Sequence, residues 1–146
     1  MIEGFQGEYR WLSNFWPAII QVSDVTYPTV EHAYVASKTH MPFSPQDLKW
    51  FLSLSPGQVK RVGRQLDLRP DWENSKFTVM YELTKIKYGN ANLKLQEKLI
   101  ATHDEYIEET NHWGDTYWGI CDGEGHNWLG YIIMQVRDEI ISENLK

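Results

Sequence analysis

Residues 27–38 read YPTVEHAYVASK and mark the point where a strand gives way to a helix. Pro28 has no backbone N–H for a strand ladder, so it ends the preceding strand. Thr29 is a favoured N-cap residue, and Glu31 falls in the first turn, where the helix dipole favours a negative charge. The stretch therefore predicts a short helix that begins directly after Thr29.

The segments on either side of this helix predict a hairpin and two more helices. Upstream, AIIQV and VTY lie within residues 18–27, separated by a polar pair that suits a turn. Downstream, SPQD and SPGQ each place serine before proline, which is the pattern of an N-cap followed by proline in the first turn. We expect short helices over 45–54 and 56–65.

A longer helix is expected from Trp72 to Tyr88, because this stretch contains no proline or glycine and repeats apolar residues at helical spacing. Gly89 would end it as a C-cap. A further helix is expected around Leu95, Leu99 and Thr102.

Short strands and one final helix complete the chain. EYIEET and TYWGI predict two strands separated by a turn. Asn127 is expected to cap the last helix, whose apolar stripe comprises Leu129, Ile132, Ile133, Val136 and Ile140. The fold class expected is α+β, as one helix-rich domain over residues 1–146 with a small β-sheet.

Composition excludes several classes of protein. The single cysteine rules out an intramolecular disulfide, and the spacing of the five histidines fits no zinc site. No apolar run reaches the roughly 18 residues of a membrane span, and no apolar signal segment is visible, so we expect a cytoplasmic protein without a metal. The net charge of −6 argues against nonspecific nucleic-acid binding.

The first candidate site lies on the opening helix. Glu31, Tyr34, Val35 and Lys38 follow helical spacing and share one face. Glu31 and Lys38 would stand two turns apart, about 10 Å along the axis, within reach of one substrate. The alternative is a first-turn glutamate favoured by the helix dipole and a solvated lysine.

Three further clusters carry polar groups. In HWGDTYWG, Asp115 lies between two tryptophans, and it would share a face with Tyr117 if the segment were extended. A core strand with a turn is the alternative reading. KRVGR carries Arg64 in a cluster that suits one phosphate or merely a solvated face, and SNFWP holds Asn14 in a loop that suits a ligand contact or a simple turn.

Taken in order, these pieces resemble the NADAR domain family, also called YbiA-like proteins. The matching motifs run nearly end to end and comprise Leu12-Ser13-Asn14-Phe15, Pro28-Thr29-x-Glu31-His32-x-Tyr34 with Lys38, Gly63-Arg64, Asp71-Trp72-Glu73, Met80, Tyr117-Trp118-Gly119, Asn127-x-Leu129-Gly130 and Arg137. The resemblance implies a YbiA-like α+β fold and N-glycosidase activity on ribosyl compounds, without a cofactor. The implied substrates are phosphorylated riboflavin-pathway intermediates or ADP-ribose attached to guanine, the latter including ADP-ribosylated nucleic acid.

The resemblance also assigns expected roles to residues. It makes Glu31, Lys38 and Asp115 the expected catalytic residues, with Lys38 as a polar partner that could form an imine with the opened sugar. The expected substrate-binding residues are Asn14, Phe15, Tyr34, Arg64, Trp72, Trp118 and Asn127. The competing function is a non-catalytic module that only binds an ADP-ribose-like nucleotide.

Overall fold

The computed structural model describes residues 1–40 and 43–146. The strands, in chain order, are β1 (Ile2–Glu3), β2 (Ile20–Val22), β3 (Val25–Tyr27), β4 (Ile107–Glu108), β5 (Thr110–Asn111), β6 (Ile120–Cys121) and β7 (Glu124–Gly125). The α-helices are α1 (Val30–Ala36), α2 (Pro45–Ser53), α3 (Pro56–Gly63), α4 (Trp72–Lys87), α5 (Leu93–Ile100) and α6 (Trp128–Asn144). Short 3₁₀-helices lie at Gly7–Leu12 and Asn90–Asn92. The expected helix-rich α+β class is confirmed.

The chain forms two compact units. One comprises Asn14–Lys87 and is called here the 14–87 unit. The other, the terminal unit, comprises Met1–Ser13 and Tyr88–Lys146. Within the described residues, no helix is both long and apolar enough to cross a membrane.

Helix α1 lies at the centre of the 14–87 unit, where it packs against α3, α4 and the hairpin of β2 and β3. The hairpin is antiparallel, with Ile20 opposite Tyr27, and it turns at Ser23, whose φ of 55° is left-handed. Val35 on α1 is fully buried in a core cluster with Phe51 and Val59. A short helix that buries one side this completely is stabilised by packing more than by its own propensity.

The predicted helix starts in this unit are confirmed. The Thr29 side chain accepts a hydrogen bond from the His32 N–H, and Ser44 does the same for Asp47. Ser55 forms a full capping box with Gln58, in which each side chain bonds the other residue's backbone. These starts were predictable because a cap is decided by residues three positions apart.

The terminal unit packs α6 against β4 and α5. Strands β1 and β4 pair in parallel, and β5, β6 and β7 form a second small sheet. Four positions of the predicted α6 stripe (129, 132, 133 and 136) are buried, and Ile140 is partly buried. The buried Arg137 guanidinium donates to Thr102 Oγ1 at 3.0 Å and to Glu105 O at 2.8 Å.

Several boundaries differ from the sequence-based expectations, and α3 ends at Gly63 rather than at residue 65. Gly89 has a φ of −88° and precedes the 3₁₀-helix, so it is not a left-handed C-cap. Thr102 follows α5 rather than belonging to it, and its hydroxyl donates to Leu99 O. Helix α1 ends at Ala36, so Lys38 lies in the turn beyond it. Such ends depend on the tertiary contacts that replace the last helical hydrogen bonds.

Residues 112–119 are not a strand, contrary to the extended reading of the TYWGI segment. Strand β6 contains only Ile120 and Cys121, and it pairs in parallel with β5. The Asp115 carboxylate accepts hydrogen bonds from the N–H groups of Tyr117 and Trp118, at 3.1 and 2.8 Å. This local side-chain bonding competes with a strand ladder and bends the chain.

Candidate functional site

The 14–87 unit contains seven of the ten predicted site residues. They are Asn14, Phe15, Glu31, Tyr34, Lys38, Arg64 and Trp72. The other three, Asp115, Trp118 and Asn127, belong to the terminal unit.

Glu31 is partly buried in the first turn of α1. Its backbone N–H donates to Asn14 O at 3.1 Å, which ties the loop before β2 to the start of the helix. Burial raises the pKa of the Glu31 carboxyl, while the positive charges of Lys60 and Lys38 oppose that rise. The carboxylate is thus held in a place that disfavours its charge, which is common for functional groups.

Lys38 is held by its backbone on both sides. Its N–H donates to Val35 O at 3.1 Å, and its carbonyl accepts from Arg69 N–H at 2.8 Å. Its ammonium lies 5.3 Å from the centre of the Tyr34 ring, within cation–π range. That ring in turn lies 5.2 Å from the Trp72 ring, at a tilt of 59°. The Tyr34 ring therefore lies on one side of the ammonium, and Trp72 packs against that ring.

Positive charges cluster around Lys38. Burial lowers the pKa of its ammonium, the negative charge of Glu31 opposes this, and nearby cations lower the pKa further. Those cations are Lys60, Arg64 and Lys76. Within the described residues no salt bridge joins Glu31 to Lys38, so each influences the other without a close ion pair.

The sequence did not reveal two of the charges that shift the pKa values of Glu31 and Lys38. Sequence reasoning placed Lys60 beside Arg64 without relating it to Glu31, and it did not single out Lys76, which now pairs with Glu73 at 2.7 Å. The only signal for Lys76 was its position one turn after Trp72 on α4.

Asn14 and Phe15 lie where the chain enters the 14–87 unit. The Asn14 side-chain amide donates to Met80 Sδ at 3.5 Å, which fixes it against α4. Phe15 is 41% exposed. Its contact with a ligand stays a prediction.

His32, in contrast, is a structural residue of the opening motif. Its Nε2 lies 2.9 Å from Leu54 O, and because a carbonyl can only accept, Nε2 carries the proton. Nδ1 then accepts from the Thr29 hydroxyl at 2.7 Å. Burial lowers the pKa of His32, although the bond to Leu54 O opposes that shift. The ring thereby anchors the start of α1 to the segment after α2.

In the terminal unit, Asp115 forms the centre of a hydrogen-bonded loop. Besides its carboxylate bonds, its N–H donates to Asn111 Oδ1 at 3.0 Å and its carbonyl accepts from Asn111 Nδ2 at 2.9 Å. The same amide donates to the buried Glu109 carboxylate at 2.9 Å. These bonds give Asp115 a structural task that the sequence did not reveal; its catalytic role stays a prediction.

Asn127 precedes α6, as expected, but its side chain does not cap the helix. Its φ is 55°, and its amide donates to Ile107 O at 3.0 Å while its Oδ1 accepts from Glu109 N–H at 2.9 Å. The first N–H groups of α6 instead donate to Tyr117 O and Trp118 O. Because the backbone of Asn127 is left-handed, its side-chain amide bonds β4 and the residue after it instead of the helix. The carbonyls of the preceding loop therefore accept the hydrogen bonds that the predicted cap would have accepted.

The described residues contain no group of three or more His, Cys, Asp or Glu side chains that could hold a metal ion. Cys121 is buried beside Asp122.

A profile of the NADAR domain matches residues 4–141. The chain belongs to the NADAR family. The match covers both compact units, and the resemblance found in the sequence motifs is confirmed.

Named relatives of this NADAR chain point to glycosidases and riboflavin biosynthesis. It is 33% identical over 142 residues to the N-glycosidase YbiA of Escherichia coli, covering 93% of this chain and 84% of that protein. It is 35% identical over 147 residues to "Riboflavin biosynthesis protein PYRR, chloroplastic" of Zea mays. That alignment covers 88% of this chain, which spans only 23% of the maize protein.

The NADAR fold is also matched by a solved structure. The NMR structure of E. coli YbiA superposes with a TM-score of 0.84 at 30% sequence identity, covering 99% of this chain and 87% of that one. The expected YbiA-like fold is thus confirmed.

Proposed function

We propose that this NADAR chain is a hydrolase of N-glycosidic bonds, with Glu31 and Lys38 as the groups that act in the chemical step. The observation that carries the proposal is their arrangement. A partly buried carboxylate and a partly buried ammonium lie close enough to shift each other's pKa without forming a close ion pair. The names of the curated relatives support the same enzyme class.

The proposed reaction breaks the bond between C1′ of the ribose and a nitrogen. The electron pair of that bond leaves with the nitrogen, which gains a proton, and water adds to C1′ and loses a proton. Positive charge develops on the sugar in the transition state, and a carboxylate such as Glu31 can stabilise it or orient the water. A carboxyl with a raised pKa is also a better proton acceptor than an ordinary one.

Lys38 has two uses in this scheme. As an ammonium it can donate a proton to the leaving nitrogen. As a neutral amine, which its lowered pKa favours, it can attack C1′ of the opened sugar, release the leaving amine and form an imine that water then hydrolyses. Both schemes consume only the substrate and one water molecule.

The substrate class we propose is a phosphorylated ribosylamine of the riboflavin-pathway type. Lys60, Arg64 and Lys76 add positive charge around Lys38, and this suits a phosphate attached to the ribose. The relative from Zea mays is named for riboflavin biosynthesis, which favours the same class. ADP-ribosylated guanine, free or in a nucleic acid, is the second substrate that the resemblance implies.

A substrate panel tests the proposal. Purified protein is incubated with a ribosylamine 5-phosphate of the pathway type, its dephosphorylated form, NAD, ADP-ribose, and ADP-ribosylated guanine as nucleotide, RNA and DNA. Release of the base and of the free sugar is followed by chromatography. Turnover of the phosphorylated ribosylamine supports the proposal, whereas binding of ADP-ribose without any release would establish the competing binding module.

A further inference from the structure

Gly63, the last residue of α3, lies against Val35 of α1 and against Lys38 in the turn that follows α1. A Cβ built on Gly63 would lie 3.1 and 3.2 Å from the two γ-carbons of Val35 and 3.4 Å from Lys38 Nζ. Gly63 does not have a positive φ, so its backbone conformation does not itself require glycine. Its lack of a side chain therefore serves the close approach of α3 to α1.

The two neighbours differ in their ability to move away from an added methyl group. Val35 is fully buried beside Phe51 and Val59, and a β-branched side chain in such a core has little rotamer freedom. Lys38 ends in a flexible four-carbon stem, and its ammonium would meet the added methyl group at about van der Waals distance, so it needs only a small adjustment.

We propose that Gly63 is a positioning residue for Lys38: the missing side chain of α3 leaves the space in which the lysine amine is held for the reaction. The inference rests on the proposed function for its catalytic consequence, but its geometric part does not. It assigns to Gly63 a role in placing the amine, while the amine itself touches the substrate.

The charged groups around that amine make its position matter. Glu31 faces it from α1, Lys60 and Arg64 from the end of α3, and Lys76 from α4. Because Coulomb energies in a partly buried site change steeply with distance, a shift of a few tenths of an ångström changes the balance between these groups. A methyl group beside Nζ also removes water from one side of it, which disfavours the charged form.

The test compares Gly63→Ala with Gly57→Ala. Gly57 lies near the start of the same helix, and a Cβ there would meet nothing within 4 Å. We expect Gly63→Ala to lower kcat about tenfold with KM within about twofold of the wild type, because small misplacements of a reacting group are costly. Gly57→Ala should match the wild type in both constants.

A second measurement does not depend on the enzyme's reaction. Each protein is labelled with pyridoxal 5′-phosphate and cyanoborohydride over a range of pH, and the adduct at Lys38 is quantified by peptide mass spectrometry. The pH midpoint of labelling should fall by about half a unit or more in Gly63→Ala and coincide with the wild type in Gly57→Ala. An unchanged midpoint together with unchanged kcat in Gly63→Ala would overturn the inference.

The two proposals fail in different ways. If the wild type turns over no substrate on the panel but the labelling midpoint moves only in Gly63→Ala, the proposed function fails and the positioning role stands. If Gly63→Ala does not fold, Val35→Ala/Gly63→Ala removes the two γ-carbon contacts and retains only the contact with Lys38. That double variant is then compared with Val35→Ala alone by both measurements. A lower kcat and a lower labelling midpoint in the double variant are expected, and two unchanged values would overturn the inference.

Discussion

At the scale of single residues, Glu31 keeps a carboxylate where burial disfavours the charge that the proposed reaction uses. Such a conflict between stability and chemistry is typical of functional sites. Lys38 shows the complementary conflict, because burial and neighbouring cations disfavour its ammonium.

Glu31→Gln tests whether the reaction needs the negative charge of Glu31. Turnover is expected to fall about 10²-fold or more with little change in KM, because the amide retains the shape but cannot carry the charge. Steady-state kinetics on the phosphorylated ribosylamine would measure this. A folded variant with near-normal turnover would show that Glu31 only stabilises the start of the helix through the helix dipole.

The same variant should become more stable relative to the wild type as pH rises. Since the folded pKa of Glu31 is raised, the folded state binds its proton more tightly than the unfolded state does. The wild type therefore loses stability as pH rises from the ordinary value of 4.5 through the raised one, and Glu31→Gln does not. Urea unfolding at a series of pH values would show the two curves converging in acid.

Lys38→Arg distinguishes an amine nucleophile from a mere charge. A guanidinium keeps the positive charge but cannot form an imine, so turnover should stay as low as in Lys38→Ala, and borohydride should trap a sugar adduct only on the wild type. Full activity of Lys38→Arg would show that only the charge is needed.

At the scale of elements, the core contacts of α1 hold the two residues proposed to act in the reaction. The seven-residue helix is held at its start by Thr29, His32 and Leu54 O, and along its length by Val35 in the core. The two groups proposed to act in the reaction, Glu31 and Lys38, lie in its first turn and in the turn after its end. The element is too short to be stable by itself, so its contacts determine where these groups lie.

The His32 anchor should make stability depend on pH. Because its folded pKa is lowered, its contribution is present above the ordinary value of 6.5 and is lost as pH falls below that value through the lowered one. His32→Gln should lose about 1–3 kcal/mol at neutral pH and show a flatter acid dependence, since a bonded buried ring is replaced. The exposed His40→Gln provides a matched control in urea unfolding. An unchanged slope below pH 6.5 in His32→Gln would contradict this account.

At the scale of the whole molecule, charge is unevenly divided. The overall net charge is −6, but residues 14–87 hold nine Lys and Arg against seven Asp and Glu, a net charge of +2. The remaining residues hold five against thirteen, a net charge of −8. The overall value argues against nonspecific nucleic-acid binding, while the local excess suits a small anionic substrate.

Arg64→Gln tests that use of charge. Arg64, just after α3, is among the charges that shift the pKa of Lys38, whereas Arg61 in the last turn of α3 is not, which makes Arg61→Gln the matched control. KM for the phosphorylated substrate should rise about tenfold in Arg64→Gln and remain unchanged for the dephosphorylated one, as a lost charge-assisted hydrogen bond predicts. Equal effects of the two variants would indicate only a general charge effect.

The sequence by itself determined the features that depend on nearby residues. Thr29, Ser44 and Ser55 cap helices because a cap bond closes over three positions, and the apolar stripe of α6 follows from helical spacing. The family, and with it the expected fold, could also be identified from the order of short motifs.

Only the tertiary structure decided how side chains distant along the chain meet. Helix α1 ends at Ala36, and a Cβ on Gly63 would lie 3.4 Å from Lys38 Nζ. Residues 112–119 bend around the Asp115 carboxylate. Each outcome depends on long-range packing or on hydrogen bonds that compete with local propensity, and no short window of sequence contains those partners. Residues could therefore be proposed for the candidate site from sequence, whereas their pKa shifts and their spacing required the fold.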